Sequence, residues 1–309
     1  MRREYPMTLE EFENRFNTEE ACRDYLFLLR WPNGFICPKC GNTKAWAVRT
    51  VLFECSKCHY QTSVIAGTIF QDTRKPLTMW FRAIWWVTSQ KNGTSALGLQ
   101  RILGLKSYQT AWTWLHKLRT AMLRPGRDKL SGYVELDETY LVSGDNRKQG
   151  RGAEEKSLIA VAVEIKDKLM GRIRLSQIND ASSDSLHSFT IESIERGSTL
   201  HTDGWSGYSG IESLGYTHTI TKIKGRKVSD LLPHVHIVVS LLKRWILGTH
   251  QGSVSKKHIG YYLDEFTFRF NRRTSSYRGK LFYRLLENAV LIGPTTYEDF
   301  VNSGNLQEG

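Results

Sequence analysis

Four cysteines constrain the front of this chain more than any other feature. They fall in two pairs, Cys37-Pro-Lys-Cys40 and Cys55-Ser-Lys-Cys58, with two residues inside each pair and 14 between the pairs. Each knuckle turns sharply enough to aim two thiolates at one point, and the intervening loop returns as a short hairpin to supply the other two. Four thiolates at that spacing suit a tetrahedral Zn²⁺. Gly41, straight after the first knuckle, permits the tight turn. A redox pair or two disulfides is the competing use. However, only Cys22 remains as a fifth cysteine, no secretory signal precedes the set, and one short module holds all four. A closed four-thiolate site keeps no position open for reaction. This metal is therefore expected to hold a fold together, with the chemistry further along.

The chain of 309 residues has room for two or three domains, and 40 % hydrophobic content supplies their cores. A formal charge of +12 points to a polyanionic partner, because phosphates attract Lys and Arg whatever the sequence. No run of about 18 apolar residues occurs, so no membrane span is expected. Reduced thiols on zinc fit a cytoplasmic protein, associated with the nucleoid if the polyanion is DNA.

Residues 8–29 read as a helix capped by Thr8, packing on the ribbon of residues 31–62. Trp31, Phe35, Trp46, Phe53 and Tyr60 interleave there with Lys39, Lys44, Arg49, Lys57 and His59; these aromatics either shield the metal or meet DNA. From 63 to 123 the periodicity is helical. Pro76 opens one helix, Thr94 or Ser95 caps a short second that Gly104 ends, and Ser107 caps a third. Three helices with a glycine-bearing turn resemble a helix-turn-helix, whose last helix enters the major groove. Gln109, Thr110, Thr113, His116 and Lys117 are its expected exposed positions, although a plain three-helix bundle has the same periodicity.

Beyond the linker Arg124-Pro125-Gly126-Arg127, strands dominate: 133–141, 157–165 and 171–178, then a helix at 182–195 and a strand at 198–204. Three strands, a helix and a further buried strand make the opening of an RNase H-like α/β domain. The expected organisation is α+β multidomain: an N-terminal helix and zinc ribbon (1–62), a helix-turn-helix-like DNA-binding region (63–123), and an RNase H-like catalytic domain (128–295). The charged stretch 143–156 reads as a hairpin loop that touches DNA.

Asp137 sits in VELDETY, where apolar Val134 and Leu136 alternate against it. A carboxylate buried there is costly unless it meets a cation or a partner. Asp203 ends the strand STLHTDG, and strand-end carboxylates of open α/β sheets commonly face the ligand crevice. Two carboxylates on adjacent central strands can share divalent cations about 3.5–4 Å apart, an arrangement that serves phosphoryl transfer.

The order CPKC…CSKC, LDETYL, HTDGWSGY, LPHVHIVVSLLKRWILGTHQG and YYLDEFTFRFNRR resembles the zinc-ribbon-bearing DDE transposases of bacterial insertion sequences, over roughly residues 15–290. The resemblance implies an RNase H-like core, catalysis with Mg²⁺ or Mn²⁺, and recognition of terminal inverted repeats in double-stranded DNA; a homo-oligomer on that DNA is expected. It places Asp137 and Asp203 as the first two metal ligands. At the third position the family usually carries Glu, Asn or His, with Lys seven residues later, and His236 and Lys243 have that spacing. Seven residues at 100° each leave two side chains about 20° apart, so both share one face of a helix that Pro233 opens. Lys243 would then reach a DNA phosphate, as would Arg244. Glu265 is the rival third carboxylate, and His236 as an ordinary helix histidine is the plain alternative. Arg269, Arg272, Arg273, Arg278, Lys280 and Arg284 lie among aromatics in the tail, as phosphate contacts or as a solvated face. Two other functions stay open: a catalytically inactive transposase-derived DNA-binding protein, kept open by the replaced third carboxylate, and an RNase H-like nuclease that cuts without joining, against which the two DNA-reading modules argue.

Overall fold

The computed structural model describes residues 4–124, 126–143, 155–221, 231–252 and 254–302. The chain divides into two compact units, Met1–Arg124 with Ser275–Gly309, and Pro125–Thr274. Among the described residues no helix is long and apolar enough to cross a membrane.

The first unit opens with two short helices in place of the expected single one, α1 (Leu9–Arg15) and α2 (Glu19–Arg30). Thr8 caps the first by accepting from the Glu11 amide, and Thr18 caps the second by accepting from Ala21, with Glu19 and Glu20 in its first turn. Strands β1 (Ala45–Val48), β2 (Leu52–Cys55) and β3 (Gln61–Thr62) form the antiparallel ribbon sheet. Three helices follow, α3 (Leu77–Ser89), α4 (Ala96–Leu103) and α5 (Tyr108–Thr120). Ser95 caps α4 through the Gly98 amide, and Gly104 ends it at φ 62°, a left-handed conformation open to glycine without steric cost. Trp80 of α3 and Trp114 of α5 stack with centroids 3.7 Å apart, fixing the first helix of the trio against the last.

The division departs from the sequence expectation at the tail. Helix α9 (Arg278–Ala289), expected in the catalytic domain, belongs to the first unit. Its Phe282 is fully buried among Phe12, Phe16, Phe81 and Trp85, and Asn288 donates to the Ala121 carbonyl at 2.9 Å.

The second unit is a five-stranded mixed sheet in the order β6-β5-β4-β7-β8, an RNase H-like arrangement. Its members are β4 (Tyr133–Ser143), β5 (Glu155–Lys166), β6 (Leu169–Ile178), β7 (Thr199–Thr202) and β8 (Thr217–Ile220). β4 runs antiparallel to β5 and parallel to β7. Alternation along the strands divides the core in two. Val134 and Leu136 pack with Ala160, Ala162 and helix α6 (Ser183–Ser193) on one face. Leu141, Ile159, Val161 and Val163 pack with helices α7 (Pro233–His250) and α8 (Ile259–Phe270) on the other. Of the charged loop expected at 143–156, residues 144–154 lie outside the described residues.

Candidate active site and metal centre

The four cysteines converge. Their sulfurs lie within 4.8 Å of one another, with Cys40–Cys55 at 3.6 Å and Cys37–Cys58 at 3.7 Å. Zn–S bonds of about 2.3 Å at tetrahedral angles require S···S near 3.8 Å, whereas a disulfide needs about 2.05 Å. The donor set therefore fits zinc. The two knuckles share one backbone device: Gly41 donates to the Cys37 carbonyl and His59 to that of Cys55, at 2.9 and 3.0 Å. The Lys57 amide and the Asn42 side chain point N–H groups at the Cys55 sulfur, at 3.4 and 3.5 Å, which suits a thiolate.

The three helices after the ribbon leave fewer groups for DNA than the sequence suggests. Gln109 is exposed near the start of α5, and the Thr113 hydroxyl donates back to the Gln109 carbonyl at 2.8 Å. His116, expected on the surface, is fully buried against Trp112 and Phe300. Lys117 is half-buried, and its ammonium donates to the Ile69 carbonyl at 3.3 Å, which ties it to the protein.

The sheet of the second unit positions the acidic residues. In the parallel pairing of β4 and β7, Glu135 stands opposite His201 in the last pair, and Asp137 and Asp203 each lie two residues beyond it. Asp137 lies on the α7 face of β4, in line with Glu135 and Leu141. Burial pushes its carboxyl up to about 7, against the pull of the Glu138 amide, and the charges of Glu138, Asp203 and Glu135 raise it further. Asp203 is exposed just beyond β7 and accepts from the Trp205 amide at 2.9 Å. Its turn needs glycine next: Gly204 has φ 87°, and a Cβ there would lie 2.6 Å from Ile220 Cγ2. Behind the turn, the buried Thr202 hydroxyl accepts from the Gly204 amide at 3.2 Å and meets His218 Nε2 at 2.9 Å. His218 Nδ1 in turn lies 3.3 Å from Glu212.

Sequence reasoning passed over two neighbours of Asp137. Glu138 projects to the opposite face of β4, where the buried Tyr208 hydroxyl donates to it at 2.7 Å. Burial raises its pKa, the Tyr208 bond offsets part of that, and the charge of Asp203 adds to the rise. Glu135 is buried and meets the N-terminus of α7, accepting from the His234 and Val235 amides at 2.9 and 3.0 Å. The string VELDET carried the signal for both, in three acids within four positions of an apolar strand.

His236 is half-buried, one residue past that cap, and Lys243 and Arg244 are exposed further along α7. Glu265 goes elsewhere. It is 1 % exposed on α8, a helix that packs on β6, and its carboxylate takes two bonds from Arg269, at 2.6 and 2.9 Å. A buried carboxylate so paired is a structural group. Arg273 is likewise engaged, donating to the carbonyls of Gly171, Phe270 and Met170 over the Phe270 ring, while Arg272 donates to Phe268 and lies over its ring. Both fasten the end of α8.

Among the described residues, the cysteines alone gather three or more ligand atoms within 4.8 Å. Asp137, Asp203 and His236 do not form such a cluster among the described residues.

Comparison with known proteins agrees with this layout. Residues 17–61 match a transposase zinc-ribbon domain, and residues 129–271 match the ISXO2-like transposase domain. An uncharacterised protein in transposable element ISH50 of Halobacterium salinarum is 26 % identical over 276 residues, spanning 82 % of this chain and 91 % of that protein. The two matches lie on the two sites just described, and the chain thus joins a transposase zinc-ribbon domain to an ISXO2-like transposase domain.

Proposed function

We propose that the protein binds the terminal inverted repeats of an insertion sequence and catalyses divalent-metal-dependent cleavage and strand transfer of DNA, with Asp137, Asp203 and His236 as the metal ligands. The observation that supports this reading is that Asp137 and Asp203 follow the last pair of the parallel β4–β7 register closely enough for the Asp203 charge to act on Asp137, while β4 also carries the cap of the helix that bears His236. Bound Mg²⁺ or Mn²⁺ would supply charge neutralisation at the phosphodiester and an activated water. The chain's own residues supply the rest. Asp137, whose carboxyl burial raises to about 7, would hold the cation together with Asp203 and His236. The Thr202–His218–Glu212 chain holds the Asp203 turn. Lys243 and Arg244 offer exposed cations for flanking phosphates. The zinc ribbon, Gln109 and Thr113 are assigned to reading the repeat, and the working form is a homo-oligomer on two DNA ends.

The test uses the full-length protein and duplex DNA that flanks its own reading frame. Mg²⁺- or Mn²⁺-dependent nicking at the element end, followed by joining to a second duplex, is expected. Asp203→Asn should lower cleavage by at least about 10³-fold while repeat binding persists. Repeat binding without cleavage under either metal would identify an inactive derivative, and cleavage without joining would identify a nuclease.

A further inference from the structure

The start of α7 is held by a group that belongs to another element. Pro233 at the first helical position has no N–H, and Leu232 before it has no side-chain acceptor. The next two amides, His234 and Val235, both donate to Oε2 of Glu135, and His234 Nδ1 lies 2.7 Å from Oε1. The cap comes from β4, 99 positions earlier than His234, and Glu135 is 3 % exposed. A buried carboxylate is costly, while a Ser or Asp just before the helix would satisfy the same amides in water. The feature peculiar to Glu135 is that it ties the helix to a particular point on β4. That point is two residues from Asp137 on the same strand face, and the bonded amides are those immediately before His236. A local cap would hold the helix together but leave it free to shift along the sheet.

We infer that Glu135 is a positioning residue, a buried strap joining β4 to α7 that sets His236 against Asp137, with the His234 ring as its second attachment. The inference rests on the reading of Asp137 and His236 as ligands of one metal centre. Groups that orient metal ligands typically change affinity by 10–100-fold when removed. Glu135 should behave so although it never touches the ion.

A double-mutant cycle on zinc-loaded, full-length protein tests this, with Mn²⁺ affinity read from the free-ion paramagnetic resonance signal and cleavage measured in parallel. Glu135→Gln keeps the side-chain shape and weakens the strap, and His234→Ala removes the second attachment while leaving the carboxylate; between them they serve if Glu135→Ala does not fold. Glu135→Gln should weaken Mn²⁺ binding on the order of tenfold. In a His236→Ala background the same change should add less than about twofold, because a strap acting through His236 has nothing left to position. Effects that multiply in the double variant, or a Glu135→Gln affinity within about twofold of wild type, overturn the inference and leave the metal centre standing. A His236→Ala protein with wild-type affinity and cleavage removes His236 as a ligand, and both readings fall together.

Discussion

Replacing Asp137 by Asn should stabilise the metal-free protein while abolishing its chemistry. Burial and the charges of Glu138, Asp203 and Glu135 raise the Asp137 carboxyl from the ordinary 3.8 to about 7, with the Glu138 amide opposing. A carboxyl whose pKa is raised on folding contributes its full stability below the unfolded value and loses it as pH climbs through the folded one. The folded state thus keeps a proton that the unfolded chain has released. Between pH about 4 and 7 the wild type loses up to about 4 kcal/mol on this account, from 3.2 pH intervals at 1.36 kcal/mol each. Asn carries no charge at any pH and escapes the loss. For a unit of about 150 residues, that gain raises the melting midpoint on the order of 10 °C. The assay is calorimetric melting of wild type and Asp137→Asn from pH 4 to 8 in buffer free of Mg²⁺ and Mn²⁺, with zinc retained. The difference in midpoint should be near zero at pH 4, grow through pH 5–7 and level off above. Mn²⁺ at pH 7.5 should then raise the wild type and leave the variant where it was. A difference that is flat across this range, or that favours the wild type at pH 7.5, refutes the account of the Asp137 environment.

Three other consequences follow from particular residues. Cys40→Ser should lose the zinc and unfold the ribbon, read as metal content falling from one zinc per chain to none, with loss of repeat binding, because a four-thiolate site supplies the folding energy of so small a module. Lys117→Met should lower the melting midpoint of the first unit and leave the salt dependence of DNA binding unchanged, since its ammonium is already bound to the Ile69 carbonyl. Gln109→Ala should weaken preference for the repeat at unchanged stability.

The sequence was legible where chemistry repeats at short range. Cysteine spacing located the ribbon metal, and period-two alternation around Asp137 located a strand with an embedded charge. Pro76, Ser95 and Gly104 punctuated the helices where the structure has them. Thr18 was the missed punctuation: a Thr followed by two glutamates starts a new helix, yet the apolar spacing runs through it unbroken. Other misreadings concern partners distant in sequence. Nothing near His116 announces that Phe300 will cover it, and nothing near Phe282 announces an aromatic cluster drawn from α1 and α3. Arg273 looked like a phosphate contact and Lys117 like an exposed position of the recognition helix, because residue type alone cannot tell an open cation from one bound to carbonyls. Glu265, the rival third ligand, is ion-paired with Arg269 one turn along, a partner that its place in the sequence did not single out. Glu135 shows the reverse. The run of acids in VELDET marks it as unusual, but only the arrival of α7 gives it a role.

The central claim is that one divalent-cation centre is built by Asp137, Asp203 and His236. Anomalous scattering from crystals of the protein bound to an element-end duplex and Mn²⁺ tests it most directly. The account predicts Mn²⁺ between Asp137 and Asp203 with a His236 ring nitrogen at about 2.2 Å, and zinc alone at the four cysteines. Mn²⁺ held by Glu138 or Glu265 in place of His236, or none beside Asp137 and Asp203, would contradict it.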